Sequence, residues 1–346
     1  MTKRYLGNII TQNPTAPTDN FEDTPAPGVW SLAEAFAYSK AGLWPTAGNK
    51  LSLGIFMGGS SSGGVVNTID SVVISTLGNA TDFGDMGVSI YQLAGAGSAT
   101  RAVTAGGSIS GGATRTNSIL YVTLPTQGNS ASFGSLAWGR RAVAALSNST
   151  RAVFGGGNGT SGGGGDTINV MEYVTIASTG SSTDFGDLSK QKHKMAGCAS
   201  PTRGLFCGGW SDDGSSFQNV IDYITIASTG NTSDFGDMVS AREGPTALSS
   251  GTRAVICGGG ASNIMEYVTI ASTGNTSDFG DLTATSEEGM SVASPTRGVI
   301  AIGSSQSNVL DYIEIASTGN AADFGDLTVG RNSAAASSTT HGGIAA

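Results

Sequence analysis

The sequence predicts an all-β fold made of six copies of one four-stranded unit, set around an axis as the blades of a propeller. Three observations predict it. A turn ending in Phe-Gly recurs at Phe83, Phe133, Phe185, Phe235, Phe279 and Phe324, at spacings of 50, 52, 50, 44 and 45. Arg101, Arg151, Arg203, Arg253 and Arg297 run in step with it, at 50, 52, 50 and 44. Two markers that share both a period and its insertions define one structural unit copied along the chain. The third observation is a strand that is apolar on both faces. In Asn219-Val-Ile-Asp-Tyr-Ile-Thr-Ile, Ile221 and Tyr223 fall on one side, and Ile224 and Ile226 on the other. Such a strand must be covered twice, and sheets packed face to face around an axis cover it. A linear solenoid is the alternative that would also do so.

The elements follow in chain order. Residues 1–50 form a separate segment. Pro14, Pro17, Pro25 and Pro27 make its first part an extended arm. Ser31 and Glu34 then form a capping box, Leu32 and Phe36 share a helical face, and Gly42 and Pro45 end the helix. About ten residues do not hold a helix alone in water, so Trp30, Phe36, Leu43 and Trp44 are expected to dock on a partner. Residues 51–346 carry the repeats. In the fourth, Arg203-Gly-Leu-Phe-Cys-Gly-Gly is a short apolar strand, and the segment from Asn219 is a second, rich in β-branched and aromatic residues. Ser233-Asp-Phe-Gly-Asp-Met is a third, and Gly244-Pro-Thr-Ala-Leu-Ser-Ser is a small-residue strand suited to a crowded axis. The first copy starts one strand late, near Leu51. The segment Asn332-Ser-Ala-Ala-Ala-Ser-Ser at the other end of the chain is expected to complete it, which would leave no open sheet edge.

Composition narrows the function. Glycine numbers 53 of 346 residues and charged residues are 12%, about twice and half the usual shares. A net charge of −9 argues against nucleic acid, whose phosphates require clustered Lys and Arg. No apolar run approaches the roughly 20 residues of a membrane span, and the first ten residues lack the hydrophobic region of a secretory signal. The three cysteines, Cys198, Cys207 and Cys257, make a disulfide framework improbable. Two of them occupy equivalent repeat positions as small apolar fillers.

The repeat resembles a kelch motif: Phe206-Cys-Gly-Gly, then Asp222-Tyr223, Phe235 and Arg242, with Phe where kelch repeats carry Trp. The resemblance covers residues 51–346 and implies a six-bladed kelch-like β-propeller. The Thr276-Ser-Asp278-Phe-Gly280 turn is similar to the Asp-box of sialidase-type propellers. A carboxylate copied in nearly every repeat reads first as a turn-stabilising device, and the arginines as a hydrogen-bonding lattice beside it. Ala26-Pro-Gly-Val-Trp30 through Trp44-Pro45, together with the Asp-Tyr-Ile-Thr-Ile-Ala-Ser-Thr-Gly-Asn repeat, is similar to virion structural proteins of tailed, marine-type bacteriophages. That similarity implies a tail, baseplate or fibre protein of the virion, made in the host cytoplasm, present in multiple copies and joined to other virion proteins by its N-terminal arm. It also implies adhesion to a host-surface glycan or protein. A capsid decoration protein, or a sialidase-like glycan-processing enzyme, are the alternatives.

Little in the chain suggests catalysis. Only His193 and His341 are present, in different repeats, and no glycine-rich loop leads from a strand into a helix as a phosphate site requires. The expectation is a protein that is not an enzyme and carries no cofactor and no metal. Binding suits the pattern better, because sequence varies most after each Gly-Gly pair and between repeats. Trp138, Trp210, Asp212, Asp213 and Arg115 fall in those stretches and are the candidate ligand-binding residues. Large aromatics dominate interfaces and stack on sugar rings.

Overall fold

Each repeat forms the four strands that its alternation requires. In the fourth, Ala196–Ala199, Arg203–Cys207, Val220–Thr225 and Ser233–Asp237 make one antiparallel sheet in that order. Leu205, Phe206, Cys207, Ile221 and Ile226 are fully buried, so both faces of the two middle strands are covered. The computed structural model describes residues 52–109, 114–124, 126–159 and 167–344. The chain divides into two compact units, Met1–Leu51 and Ser52–Ala346. The expected arm and helix, with Trp30, Phe36, Leu43 and Trp44, lie outside the described residues.

Five further sheets repeat that strand order, with innermost strands Ala335–Ser338, Ala94–Gly97, Ala144–Ser147, Thr246–Ser249 and Met290–Ala293. Numbered by repeat, sheet 1 takes its innermost strand from the far end of the chain. Ala335–Ser338 pairs antiparallel with Leu53–Met57, Gly54 opposite Ser338 and Met57 opposite Ala335. This is the pairing expected from the late start of the first repeat. The six innermost strands touch one another in cyclic order.

Three hydrogen-bond systems tie each sheet to the next. The N–H of the Gly in each Ser-Thr-Gly or equivalent turn donates to the Phe carbonyl of the preceding sheet, from Gly128 to Phe83 at 3.1 Å through to Gly78 and Phe324 at 2.9 Å. This explains the Phe-Gly marker. A Cβ added at Gly134 would stand 2.1 Å from the Gly180 carbonyl oxygen, so the incoming turn excludes any side chain. The repeating arginine supplies the second system: Arg101, Arg151 and Arg203 donate to the carbonyls of Ile176, Ile226 and Ile270 at 2.8–2.9 Å. Arg253 and Arg297 continue the series, Arg297 reaching Ser75 of the first repeat at 3.1 Å. Each guanidinium also lies over a tyrosine ring, as Arg203 over Tyr223 at 4.5 Å.

The third system was not visible in the sequence. Gln92, Ala142, Lys194, Gly244, Glu288 and Ser333, one between each pair of sheets, all have φ of 52–65°. Each donates its N–H to the carbonyl of the one before it, and Gln92 donates to Ser333 at 2.7 Å, so the six bonds close on themselves. The left-handed conformation is costly for five of these six side chains, and the closed set of bonds holds it.

These observations correct the expected fold class in its named form. Among the described residues the strands form ten separate antiparallel sheets, six of four strands and four of two or three, and every one is open. None closes into a barrel or curls strongly, as the expected kelch-type closed propeller would require. The six-bladed kelch-like β-propeller is therefore replaced by an all-β architecture of small open antiparallel sheets. Their cyclic contact comes from side-by-side packing and turn-to-carbonyl bonds, not from a continuous ladder. The turn carboxylates are corrected as well: Asp234 and Asp278 are exposed. Asparagine does the capping instead, Asn275 Oδ1 accepting the Asp237 N–H at 3.0 Å and Asn320 Oδ1 that of Asp281.

Candidate functional site

A second charged register runs through the core. Arg140 pairs with Glu172 at 2.7 Å, Lys192 with Asp222 at 2.7 Å, Arg242 with Glu266 at 3.1 Å and Arg331 with Asp70 at 3.0 Å. Each basic residue sits between two sheets and reaches an acidic residue in the middle strand of the next. All eight side chains are nearly or fully buried. At the two remaining junctions the pair is altered: Ile90 faces Leu120 in one apolar cluster, and Ser286 stands where a cation would meet Asp311. Burial accordingly pushes the Asp311 carboxyl up, although the N–H and hydroxyl of Thr283 both donate to it. These groups bind the sheets to one another and face no solvent. The acidic residue before Tyr173, Tyr223, Tyr267 and Tyr312 was their available sequence signal.

The surface site lies in the short outer ribbons that follow the Gly-Gly turns. Trp210–Ser211 pairs with Ser216–Phe217 across the Asp213-Gly214 turn, and the two aromatic rings meet edge-on at 5.0 Å. The Trp210 backbone also bridges to His193 in the segment joining sheets 3 and 4, with N···O distances of 2.9 and 3.0 Å. Variable loop and inter-repeat segment are thus neighbours, as strand direction implies. Indole Nε1 donates to Asp212 Oδ1 at 3.1 Å, and the Thr167 hydroxyl donates to Asp212 Oδ2. The Thr167 hydroxyl holds the Asp212 carboxyl below its ordinary range, with Trp210 assisting. Burial pulls the His193 imidazole down, partly offset by Asp212. His193 is therefore neutral at pH 7, and its Nδ1 is buried without a partner.

The same path continues into the preceding repeat. Thr167 bridges to Asn158 through the backbone, and Arg115 donates to Asn158 Oδ1. Arg115 lies in the ribbon Thr114–Arg115, and its carbonyl packs against the backbone of Gly139 beside Trp138. Trp138 is 41% exposed and Phe217 46%. Of the five candidates, Asp212 and Trp210 are therefore hydrogen-bonded together with Thr167, and Arg115 is hydrogen-bonded to Asn158, the two groups meeting where Asn158 and Thr167 pair across the strands. Trp138 borders them, and Asp213 occupies the exposed ribbon turn with its side chain outside both. Asn158, Thr167 and Phe217 were not singled out from sequence. The spacing of Trp210 and Phe217 about an Asp-Gly turn is a hairpin signal that could have found Phe217.

Among the described residues no three His, Cys, Asp or Glu side chains converge as a metal site. Cys198, Cys207 and Cys257 are free and buried. No family model matches the chain, and no curated protein matches it either. The kelch and bacteriophage virion resemblances thus find no support in known families. The virion-assembly role, in tail, baseplate or fibre, depended on a propeller scaffold. It is withdrawn with that scaffold, because the sheets are open and unclosed.

Proposed function

We propose that the chain is a non-catalytic binding protein whose contact surface is the set of outer ribbons around Trp210, with a glycan as its partner. One observation carries this reading: the contacts that run from Arg115 through Asn158, Thr167 and Asp212 to Trp210 hold a half-buried indole against the exposed Phe217 ring, across the ribbons of consecutive repeats. Phe217 is left 46% exposed, and the indole is oriented by a carboxylate rather than covered by the core. A fixed, exposed aromatic beside carboxylate acceptors and a guanidinium donor suits a sugar ring, which offers an apolar face and peripheral hydroxyls. The opposite turns, built on Asn231, Asn275 and Asn320, spend their side chains on capping backbone N–H groups of the neighbouring sheet. A second contact, to a partner protein through Trp30, Phe36, Leu43 and Trp44, belongs to the same proposal.

The test is a glycan array probed with the full-length chain, followed by Trp210→Ala and Asn275→Ala on any glycan that binds. Removal of one stacking aromatic should weaken binding at least tenfold, while Asn275→Ala should leave it unchanged. Loss with Asn275→Ala alone would place recognition on the opposite turns and sink the proposal.

A further inference from the structure

The axis of the second unit ends differently on its two sides. One end is a mouth formed by the closed set of six left-handed residues. The other is crossed by the chain that follows Ala335–Ser338, the strand that completes sheet 1. There a cavity of about 70 Å³ lies among the innermost strands of all six sheets, and His341 borders it.

Residues 339–344 touch five of the six sheets. The Thr339 N–H donates to the Leu53 carbonyl of sheet 1 at 2.9 Å. His341 Nε2 lies 3.0 Å from the Gly97 carbonyl oxygen of sheet 2 and 3.3 Å from Ser147 Oγ of sheet 3. The Gly342 N–H donates to the Ser249 carbonyl of sheet 5 at 2.9 Å. A Cβ on Gly342 would stand 2.6 Å from the Ala199 carbonyl oxygen of sheet 4, and one on Gly343 would stand 1.8 Å from the Ser147 carbonyl oxygen. Close approach therefore excludes a side chain at both glycines.

The hydrogen bonds around His341 fix which ring nitrogen carries the proton. Ser147 Oγ donates to the Gly97 carbonyl at 2.8 Å and accepts the Gly97 N–H at 3.0 Å, so its own proton is committed. A carbonyl only accepts, so Nε2 carries the hydrogen that meets Gly97. Nδ1 is then the unprotonated nitrogen, and it accepts the Gly343 N–H at 3.2 Å. This arrangement has no place for a second ring proton. On Nδ1 that proton would point at an N–H donor, and the Ser147 carbonyl leaves Gly343 no room to shift toward it. No charge nearby would compensate. Among the residues lining the cavity beside the ring, Cys198 is the only other one that titrates, and burial pulls the imidazole down to about 4 against the opposing pull of the Gly97 carbonyl.

We infer that residues 341–344 are an acid-released plug: the neutral ring, protonated at Nε2, seats the segment against sheets 2, 3, 4 and 5, and a proton on Nδ1 unseats it and opens that end of the axis. The device uses none of the ribbon residues, so it and the glycan surface can fail separately.

The test is nuclear magnetic resonance on the nitrogen-labelled full-length protein, from neutral pH down to about pH 3. His193 and His341 are the only histidines, so two rings report. His341 should carry its proton on Nε2 at neutral pH. The Gly342 and Gly343 amides, corrected for the intrinsic pH dependence of exchange, should lose protection at least tenfold as His341 titrates, while Leu205 and Ile221 keep theirs. Gly343→Ala, whose methyl group does not fit beside Ser147, should leave Gly342 unprotected even at neutral pH. His341→Gln, which offers a donor and an acceptor and does not titrate, should keep the two glycines protected throughout. A ring protonated on Nδ1 at neutral pH, undiminished protection of the glycines after His341 titrates, or loss only together with Leu205 and Ile221 would each overturn the inference. So would a Gly343→Ala protein that still protects Gly342, or an acid release unchanged by His341→Gln.

Discussion

Lys192→Met should destabilise the protein severely, and adding Asp222→Leu should restore most of the loss. Lys192 Nζ is 2.7 Å from Asp222 Oδ2, and both side chains are 0% exposed. Removing the ammonium alone leaves a carboxylate in the core whose second oxygen already lacks a partner. Breaking a buried pair this way costs about 3–5 kcal/mol, whereas replacing both members with apolar residues of similar volume is often neutral or stabilising by about 1–4 kcal/mol. The molecule already contains that replacement. Ile90 and Leu120 take the two equivalent positions between sheets 1 and 2 and pack in one apolar cluster. Urea unfolding of the wild type, the single variant and the double variant measures the three stabilities by linear extrapolation. The single variant should lose about 3–5 kcal/mol and the double variant should recover at least half of it. A neutral single variant, or a double variant as unstable as the single, would refute the view that these pairs are joints that tolerate apolar substitution only as a unit.

Two further outcomes follow from the same contacts. Arg203→Ala removes a charge-assisted bond to the Ile270 carbonyl and a stacked tyrosine. It should cost about 1.5–3 kcal/mol, seen as a lower melting temperature, and unchanged melting would assign the arginines another task. His341 is held neutral, its imidazole pulled by burial from 6.5 to about 4. The unfolded chain therefore takes up this proton first as pH falls. Its contribution is complete above pH 6.5 and is lost between pH 6.5 and 4. At about 1.4 kcal/mol per pH unit the loss is at most about 3.5 kcal/mol, less because the ring is only partly shielded from water. His341→Gln should remove that part of the slope in denaturation measured across the window, and an identical slope would contradict the assignment.

Much of the strand plan was legible because it rests on patterns that backbone geometry enforces. Phe235-Gly236 and its counterparts repeat because the incoming turn leaves no room for a Cβ, and Arg203 repeats because a carbonyl and a tyrosine hold it. The C-terminal strand could be assigned because the first repeat lacked one. The named fold could not be read so surely. Gly-Gly, Tyr and Arg at these spacings record local needs of turns and strands, and those needs recur in sheets that need not belong to a kelch-type propeller. The axial mouth escaped notice for the opposite reason. Its six left-handed positions are Gln92, Ala142, Lys194, Gly244, Glu288 and Ser333, which share a backbone conformation and no side chain. The buried pairs were obscured because arginine and lysine alternate there and two junctions lack a cation. Of the surface site, Trp210, Asp212 and Arg115 were legible as chemistry in variable loops. Thr167 and Asn158 were not, since small polar residues in glycine-rich loops carry no signal until the ribbons meet.

The central claim is that the second unit is a cyclic set of sheets joined end to end by one pair of strands. Native-state hydrogen exchange on the paired amides of Leu53–Met57 and Ala335–Ser338 tests it most directly. Those amides should exchange only through global unfolding, with the same protection as Leu205 and Ile221 in sheet 4. Fast exchange confined to Leu53–Met57 and Ala335–Ser338, with sheet 4 still protected, would contradict it.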